Sequence, residues 1–177
     1  MKRISGQLLK SMFISASNNL FNHYPEIDAL NVFPVPDGDT GTNMLHTMTS
    51  VAKAISVMND EQDIGEIGSQ MAKAAIMGAR GNSGVILSQL LRGIGKGVAG
   101  KKTVNTIGIG KAFQYGILYA YRSVANPVNG TILSVARAMA KGTYSIARTC
   151  NDLEAVLQEL NIFIIILSSF CSTSSNV

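Results

Sequence analysis

The chain has 177 residues, 46% of them apolar and 15% charged, which is the length of one domain with enough apolar side chains to exclude intrinsic disorder. Its net charge of +4 comes from scattered basic residues, with Lys96, Lys101 and Lys102 the one loose group. The continuous basic stripe with interleaved aromatics that a nucleic-acid groove needs is missing, so nucleic acid is excluded as a partner.

Helical periodicity runs through the chain. Leu8, Leu9, Met12, Phe13, Ala16 and Leu20 recur at three- and four-residue spacings and predict the first helix. The stretch Ala29–Gly41 holds Pro34, Pro36 and Gly38 and cannot be regular helix. A second helix is predicted over Asn43–Met58 on the stripe Met44, Met48, Val51 and Ile55. A third opens at Asp63, with Glu66 completing a capping box, and runs to about Met77. The fourth starts near Ser83 and Gly84 and carries Val85, Ile86, Leu90 and Leu91. Ile109, Phe113, Ile117, Ala120 and Val124 mark the fifth, Asn129-Gly130 precedes the sixth, and Asn151 precedes a seventh. Strand signals are scarce. The pattern predicts an all-α domain, an antiparallel up-and-down helical bundle with short connections.

Residues 1–160 read as that domain. Residues 161–177 form a divergent tail, an apolar run without a polar face and then a Ser-rich end, which reads as a truncated or frame-altered terminus. The run Ile162–Leu167 is too short to cross a bilayer, and Lys2 and Arg3 lead into an amphipathic segment rather than a signal-peptide core. Cys150 and Cys171 have neither metal-ligand nor disulfide-framework spacing. A cytoplasmic location is expected.

The most informative stretch is Asp37-Gly38-Asp39-Thr40-Gly41-Thr42-Asn43. Two carboxylates one residue apart can converge on one hard cation if the backbone turns sharply between them, and Gly38 allows the turn. Thr42 and Asn43 are expected to cap a helix start, where unpaired backbone N–H groups attract anions. Metal ligands beside an anion site are what a Mg2+-bound phosphate requires. A plain Asp-Gly turn with an N-cap is the competing reading. An EF-hand is excluded, because its fifth, sixth and twelfth places hold Gly41, Thr42 and Met48.

A second loop, Gly78-Ala79-Arg80-Gly81-Asn82-Ser83-Gly84, interrupts two helical segments and offers another nest of N–H groups. Asn129-Gly130-Thr131 has the same character more weakly. Gly95–Lys101 begins like a Walker A loop, but Lys102 stands where Ser or Thr must bind Mg2+ and no strand precedes it; it reads as a flexible turn. His23 and His46 are isolated and read as surface residues.

Three segments resemble a known family: Ala29–Met44, Met77–Gly93 and Pro127–Leu133. Together they are similar to the nucleotide-binding domain of bacterial fatty acid kinase, a DhaL-like (DAK2) domain related to the L subunit of dihydroxyacetone kinase. The resemblance covers roughly residues 1–158. It implies an α-helical barrel that binds ATP at one end through Mg2+. Asp37 and Asp39 correspond to metal ligands, Thr40, Gly41, Thr42 and Asn43 to the phosphate cradle, Gly81, Asn82, Ser83 and Gly84 to the second phosphate loop, and Thr131 to a nucleotide neighbour. It further implies transfer of the γ-phosphate to a fatty acid carboxylate presented by a partner protein, with a homodimer one expectation for the full-length kinase. Thr40 stands where the dihydroxyacetone kinase branch has His, which favours the fatty acid kinase branch. Asn31 stands near the position where the sister, dihydroxyacetone kinase branch has a further Asp ligand, and Asn129 where Glu is common in the family. The alternatives are a nucleotide-binding fragment without catalysis and a dihydroxyacetone-type phosphotransferase.

Overall fold

The computed structural model describes residues 3–32, 35–128, 131–150, 152 and 156. Among the described residues six helices follow one another: α1 (Gly6–Ala29), α2 (Thr40–Ser56), α3 (Ile64–Gly78), α4 (Gly81–Val98), α5 (Thr106–Arg122) and α6 (Ile132–Thr149). They form an all-α bundle in which α1 packs on α2, α2 on α3 and α4, α3 on α4, α4 on α5, and α5 on α6. The fold class expected from periodicity is the one observed. The predicted seventh helix and the 161–177 tail lie outside the described residues, except that Val156 is buried and its N–H bonds to Asp152 C=O at 3.3 Å.

The core is the row of helical stripes. Val51, Ile55, Ile64, Ile67, Met71, Ile94, Val98 and Ile109 are all at most 1% exposed, each removing apolar area worth about 1.5–3 kcal/mol relative to exposure. Where a local cap was legible the boundaries agree. The Glu66 carboxylate accepts from Asp63 N–H at 3.0 Å, the back half of the expected capping box, and α3 ends at Gly78. The fifth helix stops at Arg122 rather than reaching Val124, and at its end both the Ser123 N–H and the Ser123 Oγ donate to Ala120 C=O, at 3.2 and 2.7 Å.

One expectation is corrected. Gly95 and Gly97 are not in a flexible turn; they are buried in the last turns of α4. A Cβ at Gly95 would lie 2.3 Å from Gly68 O of α3, and one at Gly97 would lie 2.5 Å from Ala112 Cα of α5. The glycines let three backbones approach closely, and only Ala99–Lys101 turns, with Gly100 at φ +70°. Below this, the N-terminus is tied to the α4–α5 connection by an isolated antiparallel bridge, Ile4 N–H to Val104 C=O at 2.7 Å and its reciprocal at 3.0 Å.

The close approaches also fix direction. Gly97 faces Ala112 and Gly93 faces Gly116, so α4 and α5 run antiparallel. Alternation along the chain then brings the N-termini of α2, α4 and α6 to one end of the bundle. The first two loops singled out in the sequence, and Thr131 of the third, are at that end.

Candidate functional site

The first four N–H groups of a helix have no partner within it. For α2 they are met from α1. Asn31, just past the end of α1, accepts through Oδ1 from Asp39 N–H (3.3 Å), Thr40 N–H (3.3 Å) and Thr40 Oγ (2.9 Å), and donates through Nδ2 to Val35 C=O (2.9 Å). Asp28, in the last turn of α1, accepts from Thr42 N–H (3.0 Å) and Thr42 Oγ (2.6 Å). Asn43 N–H closes onto Asp39 C=O at 2.9 Å. These bonds start α2 at Thr40, three residues before the predicted Asn43, so Thr42 and Asn43 sit inside the helix instead of capping it.

Asp37 and Asp39 flank Gly38, whose φ of +65° supplies the sharp turn the pair requires. Asp37 is exposed and Asp39 half-buried. Asp39 occupies the N-cap position, yet its carboxylate makes no capping bond. Among the described residues neither carboxylate is engaged by another side chain, and no group of three or more His, Cys, Asp or Glu gathers to hold a metal. Such a donor set fits Mg2+, which takes one or two carboxylates and fills its octahedron with phosphate oxygens and water. Asn31 Oδ1 already carries its hydrogen bonds and organises the loop.

The second loop lies against the first. Gly81 opens α4 at φ +55°, and a Cβ there would meet Asn43 Nδ2 of α2, a side chain only 9% exposed. Gly84 is buried against Thr47 and the Asn43 C=O. Ser83 Oγ donates to Thr40 C=O at 3.3 Å. Thus Thr40, Asn43, Gly81, Ser83 and Gly84 come together. The Gly84 N–H bonds to Arg80 C=O, whereas those of Gly81, Asn82 and Ser83 find no partner among the described residues. Asn82 is exposed beside them. An N-terminus of this kind presents partial positive charge to an anion. α2 differs: its Thr42 N–H already faces the Asp28 carboxylate.

Thr131 is the N-cap of α6, its Oγ donating to Val128 C=O at 2.8 Å. No hydrogen bond among the described residues joins it to α2 or α4, and Asn129 and Gly130 lie outside them. His23 and His46 are exposed, and His23 lies 3.1 Å from Glu26. A cavity of about 520 Å3 between α5 and α6, lined by Arg137, Tyr144 and Arg148 among others, includes none of the residues of the two loops.

Residues 34–162 match the DAK2 domain model. The chain belongs to the DAK2 domain family. The DAK2 domain is a DhaL-like nucleotide-binding module found in kinases, and its match begins just before the acidic loop Asp37–Asn43 and spans the Gly81 loop and Thr131. The chain is 46% identical over 156 residues to Protein YloV of Bacillus subtilis, covering 88% of this chain and 28% of that protein. It is 47% identical over 150 residues to an uncharacterised protein of Staphylococcus saprophyticus (85% and 27%) and 45% identical over 150 residues to one of Staphylococcus aureus, with the same shares. The chain therefore spans little more than a quarter of the length of these relatives. Among the described residues no helix is long and apolar enough to cross a membrane.

Asp28 is the site residue that sequence reasoning missed. It stands one residue before the Ala29–Met44 signature and looks like an ordinary helical Asp. Its partner Thr42 lies 14 positions away across a proline-rich loop, and no spacing rule connects them.

Proposed function

We propose that this DAK2 domain is the Mg2+-ATP-binding unit of a kinase that phosphorylates a fatty acid carboxylate held by a partner protein. The observation that carries the reading is the pair of unengaged carboxylates, Asp37 and Asp39, set beside the open N-terminus of α4 and joined to it through Ser83 and Thr40. Asp37 and Asp39 would hold Mg2+, which when bound supplies neutralisation of the phosphate charge. The N–H groups of Gly81, Asn82 and Ser83 then face phosphate oxygens, with Gly84 keeping the backbone close to α2. Gly41, Thr42 and Asn43 shape the opposite wall, and Thr131 borders the nucleotide from α6. In the transfer, a carboxylate oxygen of the acyl chain bonds to the γ-phosphorus and the bond to the ADP oxygen breaks, giving acyl phosphate and ADP. No general base is required, since the acceptor is already ionised at neutral pH. The chemistry is positioning and charge stabilisation, and the reaction belongs in the cytoplasm, where ATP is supplied.

Thr40 supports this acceptor over dihydroxyacetone, because the position that carries His in that branch here carries a hydroxyl already bonded to Asn31.

Thermal denaturation with ATP, with and without Mg2+, tests the binding. At ATP one hundred times its Kd, stabilisation of about 2.7 kcal/mol is expected, or about 5–11 °C for a chain of this size, lost without Mg2+ and in Asp37→Ala and Asp39→Ala. Absence of any shift in the unmutated chain overturns the reading. ADP release by the full-length protein with a fatty acid and its carrier, against dihydroxyacetone, then decides the acceptor.

A further inference from the structure

An Asp at a helix N-cap normally turns its carboxylate onto the N2 or N3 N–H. Asp39 is the N-cap of α2 and does not do this. The N3 residue is Thr42, and both its N–H and its hydroxyl are taken by Asp28, reaching across from α1 at 3.0 and 2.6 Å. Asn31 meanwhile holds the Asp39 and Thr40 N–H groups at 3.3 Å each. The N3 cap that Asp39 would otherwise provide thus comes from α1, and the two N–H groups ahead of it are held by Asn31, just past the end of that helix.

The geometry points to Asp28 as a positioning residue that caps α2 in place of Asp39 and so leaves the Asp39 carboxylate open for a divalent cation. This rests on the reading of Asp39 as a metal ligand. Two consequences follow from the exchange of partners. Without Asp28, the Thr42 N–H is unpaired beneath a half-buried surface, and the nearest acceptor in sequence is Asp39 itself. The Asp39 carboxylate then folds back as a local cap, and a cation must first break that bond. Since a cap is worth about 1 kcal/mol, the Mg2+ concentration that half-saturates ATP-dependent stabilisation rises about fivefold.

Asp28→Asn keeps an acceptor for the Thr42 N–H, and its amide can donate to the Thr42 oxygen. It should therefore stay within about twofold of the unmutated chain, while Asp28→Ala shows the full rise. A general loss of folding would not separate these two in their Mg2+ requirement when both are measured well below their Tm.

The deciding measurement is a double-mutant cycle in urea, with EDTA and no nucleotide. Asp39→Ala alone should move the unfolding midpoint little, and in the Asp28→Ala background it should move it at least twice as far, because there Asp39 has become the cap. An additive cycle overturns the proposal, as does an Asp28→Ala chain whose Mg2+ requirement is unchanged. Should the double variant not fold, Asp28→Asn with and without Asp39→Ala gives the control in which additivity is expected. A chain that ignores Mg2+-ATP altogether overturns the functional reading instead, and a coupled cycle would then assign Asp28 to helix capping alone.

Discussion

Replacing Gly41 with Ala puts a methyl group 2.2 Å from the Tyr24 carbonyl oxygen and 3.0 Å from Ile27 Cβ. Both belong to α1, and a backbone oxygen within a helix cannot rotate away. Relief requires α2 to move from α1 by about 1 Å, since carbon and oxygen need about 3.2–3.5 Å. A shift of that size breaks the short Thr42–Asp28 pair, which sits one residue further on. Overpacking costs about 1–3 kcal/mol, and loss of hydrogen bonds to a charged acceptor about 1.5–3 kcal/mol. Against these stands the better helix propensity of Ala, at most about 1 kcal/mol. The net is about 3 kcal/mol, or roughly 6–12 °C in Tm. The comparison is Gly38→Ala. There the Cβ meets only Asp28 O at 4.0 Å, so the cost is the left-handed φ of +65°, about 1–2 kcal/mol. Thermal denaturation of both variants without ligand checks the order. Equal losses, or a neutral Gly41→Ala, would refute the claim that this glycine is required by the approach of two backbones.

Other predictions concern what holds the bundle. Lys10 of α1 donates to Met58 C=O at 2.7 Å and to Asp60 at 2.8 Å, with the Lys side chain 13% exposed and the Asp 59%. Lys10→Ala leaves the carbonyl after α2 without its charged donor and should cost about 1–2 kcal/mol, whereas Asp60→Ala, at an exposed pair, should cost less than about 0.5 kcal/mol; urea midpoints of the two variants give the difference. Met71 is fully buried among α2, α3 and α4 core residues, and Met71→Ala should lower stability by about 2–5 kcal/mol, read from the same titration.

The sequence made the helices legible because their stripes are long and regular, and it made the Asp63–Glu66 start legible because both capping partners lie within one turn. It did not make the starts of α2 and α4 legible. Periodicity and local caps put the first at Asn43 and the second near Ser83, while the structure begins them at Thr40 and Gly81. In each case the missing residues are held by tertiary contacts: Asn31 and Asp28 for α2, and the Asn43 side chain beneath Gly81 for α4. Helix propensity and local caps carry no information about an acceptor on another helix. The same limit explains Gly95 and Gly97, whose spacing suggested a loop but whose neighbours are the backbones of α3 and α5. A glycine between two helices and a glycine in a turn are written alike.

The two site loops are joined by the same kind of close approach that joins the helices. Gly81 leaves room for Asn43, Gly84 for Thr47, and Gly41 for the carbonyl of Tyr24. Each removes a side chain where an α2 contact must be tight, so the acidic loop, the α2 start and the α4 start form one packed unit at the end of the bundle. The end of α1 completes that unit, because Asp28 and Asn31 hold the first turn of α2 and the loop that carries Asp39. Under the proposed function, a cation on Asp37 and Asp39 and a phosphate at Gly81–Ser83 would serve one nucleotide only at a fixed separation, and Asp28 and Asn31 are the side chains that would hold the acidic half of the site in place.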